Sequence, residues 1–263
     1  MAEVGQSSES RRRLAAYYDR LADVYGEGEV FAARRAAVID AIATELGDAH
    51  AVLDLGCGNA SYAAEFVQRA PTARLLGADV SADMLQGARR RAGRRMALVQ
   101  ADAAALPFAA GSFDLVFMSH VLQLIANIDR CVADIAACLT ADGVLIATVG
   151  VSGWRDTMGR LLGSETLREL FAQVAPPRAS AATDDQFRVA SACVAAGLQP
   201  TWRRPTFSVA WPAVEEWVRI RWLSIVDEPL RARAERWLAE RRGSAAGLTF
   251  EIAETLLVAR KNC

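Results

Sequence analysis

Three aspartates close short apolar runs in the first half of the chain. Asp54 lies in Val52–Ala60, VLDLGCGNA. Asp79 ends ARLLGAD, and Asp102 follows MALVQA. Gly56 and Gly58 stand just past the first run. Glycine reaches backbone angles closed to other residues and lets a ligand approach the main chain. A helix beginning there adds a partial positive charge. A carboxylate placed like Asp79 suits both hydroxyls of a ribose, and Asp102 is placed for an adenine amino group. The chemistry this implies is recognition of a nucleotide. His120 follows a fourth apolar run and is the candidate proton acceptor, because imidazole titrates near neutrality. His50 precedes the first run, at the opposite edge, and is set aside. Each feature also has a structural reading: a ligand-free tight turn at 56–60, a helix-capping acid at 79, a packed imidazole at 120. Asp114 is read as structural.

These residues need elements to position them. Leu14, Tyr17, Tyr18 and Leu21 recur at helical spacing from Ser8. A second helix is expected from Val30 to Leu46, with Gly47 as its C-cap. Strands follow at 51–55, 73–79, 96–101, 113–119 and 143–150. Helices separate them at 60–70, 81–92 (capped by Ser81) and 128–139. Alternation of this kind predicts a parallel sheet covered on both faces. Beyond Gly150 the expectation is a helix at 162–174, a PPRAS linker and a helix at 183–197. One edge strand follows at 199–211, interrupted by Pro205. Helices at 213–225 and 228–242 and a single closing strand at 248–261 complete the chain.

Composition narrows the class of protein. Of 263 residues, 52% are hydrophobic, and 30 Lys+Arg balance 31 Asp+Glu to a net charge of −1. A nucleic-acid binder usually carries a basic surplus; here none exists globally, and the arginine runs at 11–13, 89–95 and 233–242 read as solvated helix faces. Cys57, Cys131, Cys138, Cys193 and Cys263 lack metal-ligand spacing and read as free thiols, so no metal site is expected. The N-terminus lacks the apolar stretch of a secretory signal, and no apolar run reaches the ~18 residues of a membrane span. The expectation is a cytoplasmic protein with no membrane or nucleic-acid partner.

The segments VLDLGCGNA, GADVSADML, QADAAALPFAAGSFDLVFMSHVLQLI and LTADGVLIATV together resemble the class I S-adenosylmethionine-dependent methyltransferases. The ending FEIAETLLVARK is similar to that family's final antiparallel strand. The spacing fits the dinucleotide fingerprint G-x-G-x-x-G/A poorly, since Ser61 holds its last position. The N-terminal AAYYDRLADVY also resembles the tyrosine-bearing helix of small-molecule enzymes near the ubiquinone/menaquinone group.

The resemblance implies an α/β Rossmann-like fold: a mostly parallel seven-stranded sheet, helices on both faces and an inserted helical cap. One domain of 1–263 is expected, with N-terminal helices (1–47) over the cofactor, a cofactor core (48–150), a substrate cap (151–247) and a closing strand (248–263). It implies S-adenosylmethionine as cofactor. Gly56 and Gly58 would shape the loop under its methionine part, and Asp54 would position its amino group. Asp79 would hold the ribose, Asp102 and Ala103 the adenine edge, and Met84 would pack on the ring. Cys57, Val80 and Ser119 would complete the shell. Ala60 replaces the family's third glycine.

His120 and Tyr18 are the candidate catalytic residues, with Tyr17 and Tyr25 as further candidates for the pocket. The acceptor is expected to be a small, apolar or aromatic metabolite bound by aromatics of the cap: Trp154, Phe171, Phe187, Trp202, Phe207, Trp211, Trp217 and Trp222. A homodimer is compatible with this reading. A non-catalytic cofactor-binding or interaction module, a nucleic-acid or protein methyltransferase, and an NAD oxidoreductase are the alternatives.

Overall fold

The sequence builds a seven-stranded sheet because its buried runs alternate strictly in the face they present. In the computed structural model, which describes residues 8–149, 165–174 and 186–261, the strands are β1 (Ala51–Leu55), β2 (Arg74–Asp79), β3 (Ala97–Gln100), β4 (Phe113–Ser119), β5 (Leu139–Thr148), β6 (Leu198–Arg203) and β9 (Leu256–Lys261). Their spatial order is β3-β2-β1-β4-β5-β9-β6. The first five run parallel; β9 is antiparallel to both β5 and β6.

Alternation sorts the side chains onto two faces, as a strand period of two requires. Leu53, Val116, Met118, Leu145 and Leu257 enter one core with Ile128, Val132 and Ile135 of α6 (Ile128–Cys138) and with α8 (Gln186–Ala195). Val52, Leu115, Phe117, Ile146 and Val258 enter the other. There they meet α2 (Glu29–Ala41), α3 (Ala43–Gly47), α4 (Ala63–Arg69) and α5 (Ala82–Ala92). Ser81 caps α5 as expected: its Oγ accepts from Met84 N at 3.0 Å.

Four expectations change. The helix expected over 30–46 breaks at Ile42 (φ −120°), and Gly47 lies inside α3, whose C-cap is Asp48. The break is held from across the fold. Arg203 donates to Ala41 O, and both Arg203 and Arg260 pair with the buried Glu45 at 2.6 and 2.7 Å. β5 begins at Leu139 rather than 143, with a register shift against β4 between Phe113 and Leu115.

The single strand expected over 199–211 is two strands: β6 belongs to the main sheet, and β7 (Thr206–Ala210) to a separate ribbon. The closing strand is likewise two. β8 (Thr249–Ala253) pairs with β7, and β9 joins the main sheet, with Glu254 and Thr255 between them. The chain thus leaves the sheet at Arg204–Pro205 and returns at Glu254–Thr255, and Glu254 N donates to Pro205 O at 2.9 Å.

The ribbon seats a third core. Val209, Trp211, Val214, Trp222, Trp237 and Leu238 pack there with Leu170 of α7 (Glu165–Val174) and Val30 of α2. α9 (Trp211–Val218), a π turn at Arg219–Leu223 and α10 (Glu228–Ala245) supply most of it. A fourth, small cluster joins Tyr17, Leu21 and Ala22 of the N-terminal segment, which begins with α1 (Ser8–Asp19), to Met84 of α5.

Candidate functional site

Strand order reverses between β1 and β4: crossovers from β1 lead one way to β2 and β3, those from β4 the other way to β5. Open α/β sheets leave a crevice at the carboxyl ends of the strands at such a point. Every cofactor candidate read from the sequence lines the cleft there: Asp54, Gly56, Cys57, Gly58, Asp79, Val80, Met84, Asp102, Ala103 and Ser119. Tyr18, Tyr25 and His120 line it too. Tyr17 does not; its hydroxyl donates to Val174 O at 2.6 Å and accepts from Arg221 Nη1 at 3.1 Å, anchoring α1 to α7 and the π turn.

The glycine turn is tightly built. Gly56 N and Cys57 N both donate to Ala78 O, at 2.7 and 3.0 Å. Gly56 and Gly58 have φ of 75° and 53°. Ala60, which stands where the family has its third glycine, also adopts a left-handed φ of 58° and is fully buried. That conformation costs a non-glycine residue about 1 kcal/mol. Asn59 ties the N-terminal segment to the turn, donating from Nδ2 to Ala22 O at 3.0 Å and Tyr25 O at 2.7 Å. Asp79 Oδ2 accepts from Gly58 N at 2.8 Å and Oδ1 from Ser81 N at 2.9 Å. Asp102 Oδ1 accepts from Ala104 N at 2.9 Å. Asp114, at the opposite end of its strand, accepts from His50 N and Ala51 N and is structural.

Two features were not legible. Arg34 and Tyr62 line the cleft, and neither carried a motif. Ser119 Oγ donates to the Tyr62 hydroxyl at 3.4 Å. Glu254 stands behind His120, fully buried, with Oε2 at 3.1 Å from Nε2. A charge inside the otherwise apolar run IAETLLV was the available signal. His120 itself has a left-handed φ of 57°, held by its N donating to Thr148 Oγ1 at 2.8 Å.

The aromatics expected to cap the acceptor lie elsewhere. Trp211 and Trp222 are buried in the third core, with Phe207 beside them and Trp217 packed against it. Trp202 packs on the first core, and Phe187 is 84% exposed. None of these lines the cleft. Trp154 and the Phe171 side chain fall outside the described residues, as do Cys263, the PPRAS linker and the start of the helix expected at 183.

Burial governs the titrating groups. It pushes Asp54 up to about 8, with the Asp79 charge adding to the effect. Asp79 is also raised, by burial first, against the backbone N–H groups it accepts. Burial sends the Tyr18 hydroxyl and the Cys57 thiol well above their ordinary values, so both stay protonated at neutral pH. Burial pushes Glu254 up, but the charges of His120 and Arg34 beside it outweigh this, and the net shift is downward. Cys131 and Cys193 are buried thiols raised to about 12. Among the described residues no group of three or more His, Cys, Asp or Glu could hold a metal, and no helix is long and apolar enough to cross a membrane.

Residues 53–147 match the family model described as a methyltransferase domain. The malonyl-[acyl-carrier protein] O-methyltransferase of Legionella pneumophila is 33% identical over 121 residues, 45% of this chain and 38% of that relative. A demethylmenaquinone methyltransferase of Deinococcus radiodurans is 28% identical over 211 residues, 75% of this chain and 86% of its own. The chain spans 38–60% of the length of the first three curated relatives it matches. The solved geranyl diphosphate C-methyltransferase of Streptomyces coelicolor A3(2) superposes with a TM-score of 0.59 at 14% identity, over 97% of this chain and 99% of that one.

Residues 53–147 are matched as a methyltransferase domain, and the strand order with β9 antiparallel is that of a Rossmann-like α/β fold consistent with the class I S-adenosylmethionine-dependent methyltransferases. The relatives include enzymes of the ubiquinone/menaquinone type, and the matched domain and these relatives support S-adenosylmethionine as cofactor.

The residues present fit that cofactor. Asp54 Oδ2 is buried in the cleft without a hydrogen-bond partner, and a buried acceptor of this kind calls for a donor. The amino group of the cofactor is one. Folded Asp54 keeps its proton between its ordinary 3.8 and about 8, whereas an unfolded chain has lost it. This carboxyl therefore costs stability progressively as pH rises across that window. An ammonium beside it favours the carboxylate. At pH 7, binding of S-adenosylhomocysteine is expected to release up to about one proton. Calorimetric enthalpies should then differ between phosphate and Tris in proportion to buffer ionisation heats. Asp54→Asn should remove the difference; equal wild-type enthalpies in the two buffers would contradict the assignment.

Proposed function

We propose that the protein transfers the methyl group of S-adenosylmethionine to a small acceptor with apolar or aromatic surface. The observation that carries this reading is the convergence of Asp54, Asp79 and Asp102 from three adjacent strand ends on one cleft. In it Asp54 receives the amino group, Asp79 the ribose, and Asp102 with Ala103 the adenine edge. Met84 and Val80 pack on the base, Gly56 and Gly58 admit the cofactor to the backbone, and Cys57 and Ser119 close the shell. The apolar character of the acceptor is supported by Leu14, Tyr18, Tyr25, Val121, Leu124 and Ile125 on the same cleft. A small-molecule acceptor also accords with relatives whose names specify demethylmenaquinone and trans-aconitate.

The cofactor, when bound, supplies a methyl group already activated by a sulfonium. The chain then has to align the acceptor and exclude water, and alignment alone can supply much of the rate. The N-terminal helix does the covering in this reading. An acceptor that must lose a proton would give it to His120. Glu254, held below its ordinary value and with Oε2 3.1 Å from Nε2, favours the hydrogen on Nε2, because two facing lone pairs repel. Nδ1 is then the nitrogen with a free pair. Tyr18, a neutral buried phenol, serves as hydrogen-bond donor rather than base.

Incubation with labelled S-adenosylmethionine and an acceptor library tests the activity; the cofactor bound tightly but never consumed would favour a non-catalytic binding protein. His120→Gln is expected to lower kcat by about 10²–10⁴-fold while the Kd for S-adenosylhomocysteine changes less than about twofold. An unchanged kcat removes His120 from the reaction.

A further inference from the structure

Two buried polar residues stand beside the cofactor contacts without lining the cleft. Asn59 follows Gly58, and Ser81 follows Asp79 and Val80. Both are turned to the N-terminal segment. Asn59 gives its two amide hydrogens to Ala22 O and Tyr25 O and accepts from Arg91 Nη1 at 2.8 Å. Ser81 is fully buried and makes three bonds. Its N donates to Asp79 Oδ1 at 2.9 Å, and its Oγ accepts from Met84 N at 3.0 Å. The third bond leaves the sheet: Oγ donates to Asp19 Oδ1 at 2.5 Å. Asp19 is the last residue of α1, 62 positions away in the chain.

A hydroxyl has one hydrogen to give, and a buried one needs an acceptor. A carboxylate makes that bond short and strong. Asp19 also meets the N-terminus of α5, where a negative charge is favoured. The charge itself does not help the ribose acid. Burial is the main force raising Asp79, and the Asp19 charge adds to it. What Asp19 contributes there is therefore geometry. Ser81 supplies one of the two N–H groups that hold the Asp79 carboxylate, and it caps the turn that carries Met84. A Ser81 that loses its acceptor and shifts moves both. Leu21 and Ala22 of the same segment pack directly on Met84. A second acid, Asp23, also reaches α5, through Arg90 at 2.9 Å, but its side chain is 87% exposed, and an exposed pair of this kind contributes little.

Resting on the cofactor reading above, we propose that Asp19 is a positioning residue for the nucleoside end of the site. Through the Ser81 hydroxyl it fixes the Asp79 carboxylate that receives the ribose and the Met84 turn that packs on the base. Asp19 does not line the cleft, so it sets cofactor affinity without touching the cofactor.

S-adenosylhomocysteine and 5′-methylthioadenosine both carry the adenosine group, and only the first carries the amino acid. Calorimetry of wild type, Asp19→Ala, Asp19→Asn, Ser81→Ala and Asp23→Ala against both ligands is the experiment, with urea unfolding alongside. Expected for Asp19→Ala is an affinity loss of about 10-fold, equal for the two ligands. Asp19→Asn keeps an oxygen for the Ser81 hydroxyl and loses less; Asp23→Ala stays within about twofold of wild type. Because Asp19 acts through Asp79, its alanine effect should shrink to about twofold or less in an Asp79→Asn background. A lower urea midpoint with both affinities unchanged overturns the proposal, since the bond then only holds the helix. A loss confined to S-adenosylhomocysteine overturns it in favour of the methionine end, and an equal loss in Asp23→Ala in favour of the segment as a whole. If Asp19→Ala does not fold, Ser81→Ala removes the same bond from the other side, and wild-type affinity there overturns the proposal too. Failure of the folded wild type to bind either ligand is a different result: it removes the cofactor reading, and the role of Asp19 with it.

Discussion

Asp79→Ala is expected to weaken S-adenosylmethionine and S-adenosylhomocysteine binding by at least about 100-fold. The effect has two sources. Each carboxylate oxygen already accepts one backbone N–H, from Gly58 and from Ser81. An ionised oxygen has a second lone pair, so each remains able to accept a ribose hydroxyl. Hydrogen bonds to a charged group contribute about 1.5–3 kcal/mol each, and two of them exceed the roughly 2.7 kcal/mol that a 100-fold change represents. The alanine also releases the clamp between the glycine turn and the start of α5, leaving two N–H groups without partners, which costs about 1–3 kcal/mol of stability per buried group. Asp79→Asn keeps one acceptor and should fall between the two in affinity. Calorimetry gives the affinities and urea unfolding the stabilities. A loss below about fivefold in Asp79→Ala would show that the ribose is held elsewhere.

The second large effect is expected on folding. Gly56→Ala should destabilise the protein by about 3–5 kcal/mol, the range of a severe core or backbone lesion. A Cβ at this position would lie 2.3 Å from Val121 Cγ2 and 3.1 Å from Cγ1, at a φ of +75°. The backbone term alone is about 1–2 kcal/mol. The contact cannot be relieved cheaply. Gly56 N is fixed to Ala78 O at 2.7 Å, and Val121 opens a short 3₁₀ turn, Leu122–Leu124, that lines the cleft. Gly47→Ala is the control: nothing lies within 4 Å of its added Cβ and its φ is ordinary, so a helix position gains slightly. Urea midpoints of the two variants should move in opposite directions. A Gly56→Ala midpoint equal to wild type would mean that the turn opens in solution.

The same turn explains why so much of the site could be read without coordinates. Its parts are local or periodic. Glycines with left-handed angles at 56 and 58, a serine three residues before the N–H it caps, and acids at the ends of apolar runs are all short-range signals. Parallel strands place their carboxyl ends together, so Asp54, Asp79, Asp102 and His120 converge once the alternation of strands and helices is recognised. The alternation of faces along β1, β4 and β5 is equally a property of the sequence, since one face of each strand must match one helix layer.

What periodicity could not give was the partner of a side chain. The run at 248–261 alternates as one strand, but Glu254 divides it, and only the pairing of β8 with β7 and of β9 with β5 and β6 reveals the division. Glu254 meets His120 across 134 positions of chain. The tryptophans of 211–237 have the composition of a pocket wall, yet they fill a core of their own, because the β7–β8 ribbon gives them a surface to bury. Apolar area records that a side chain will be buried and not against what. Arg34 and Arg35 are adjacent and alike in sequence; one finds Glu65, and the other turns to the cleft. Local geometry and strand period are enough to set the sheet, the glycine turn and the acids that gather around it, and both are written in the order of the residues. Which charges are matched and which are left open was settled only in three dimensions, because the energy of a buried charge depends on its neighbours in space.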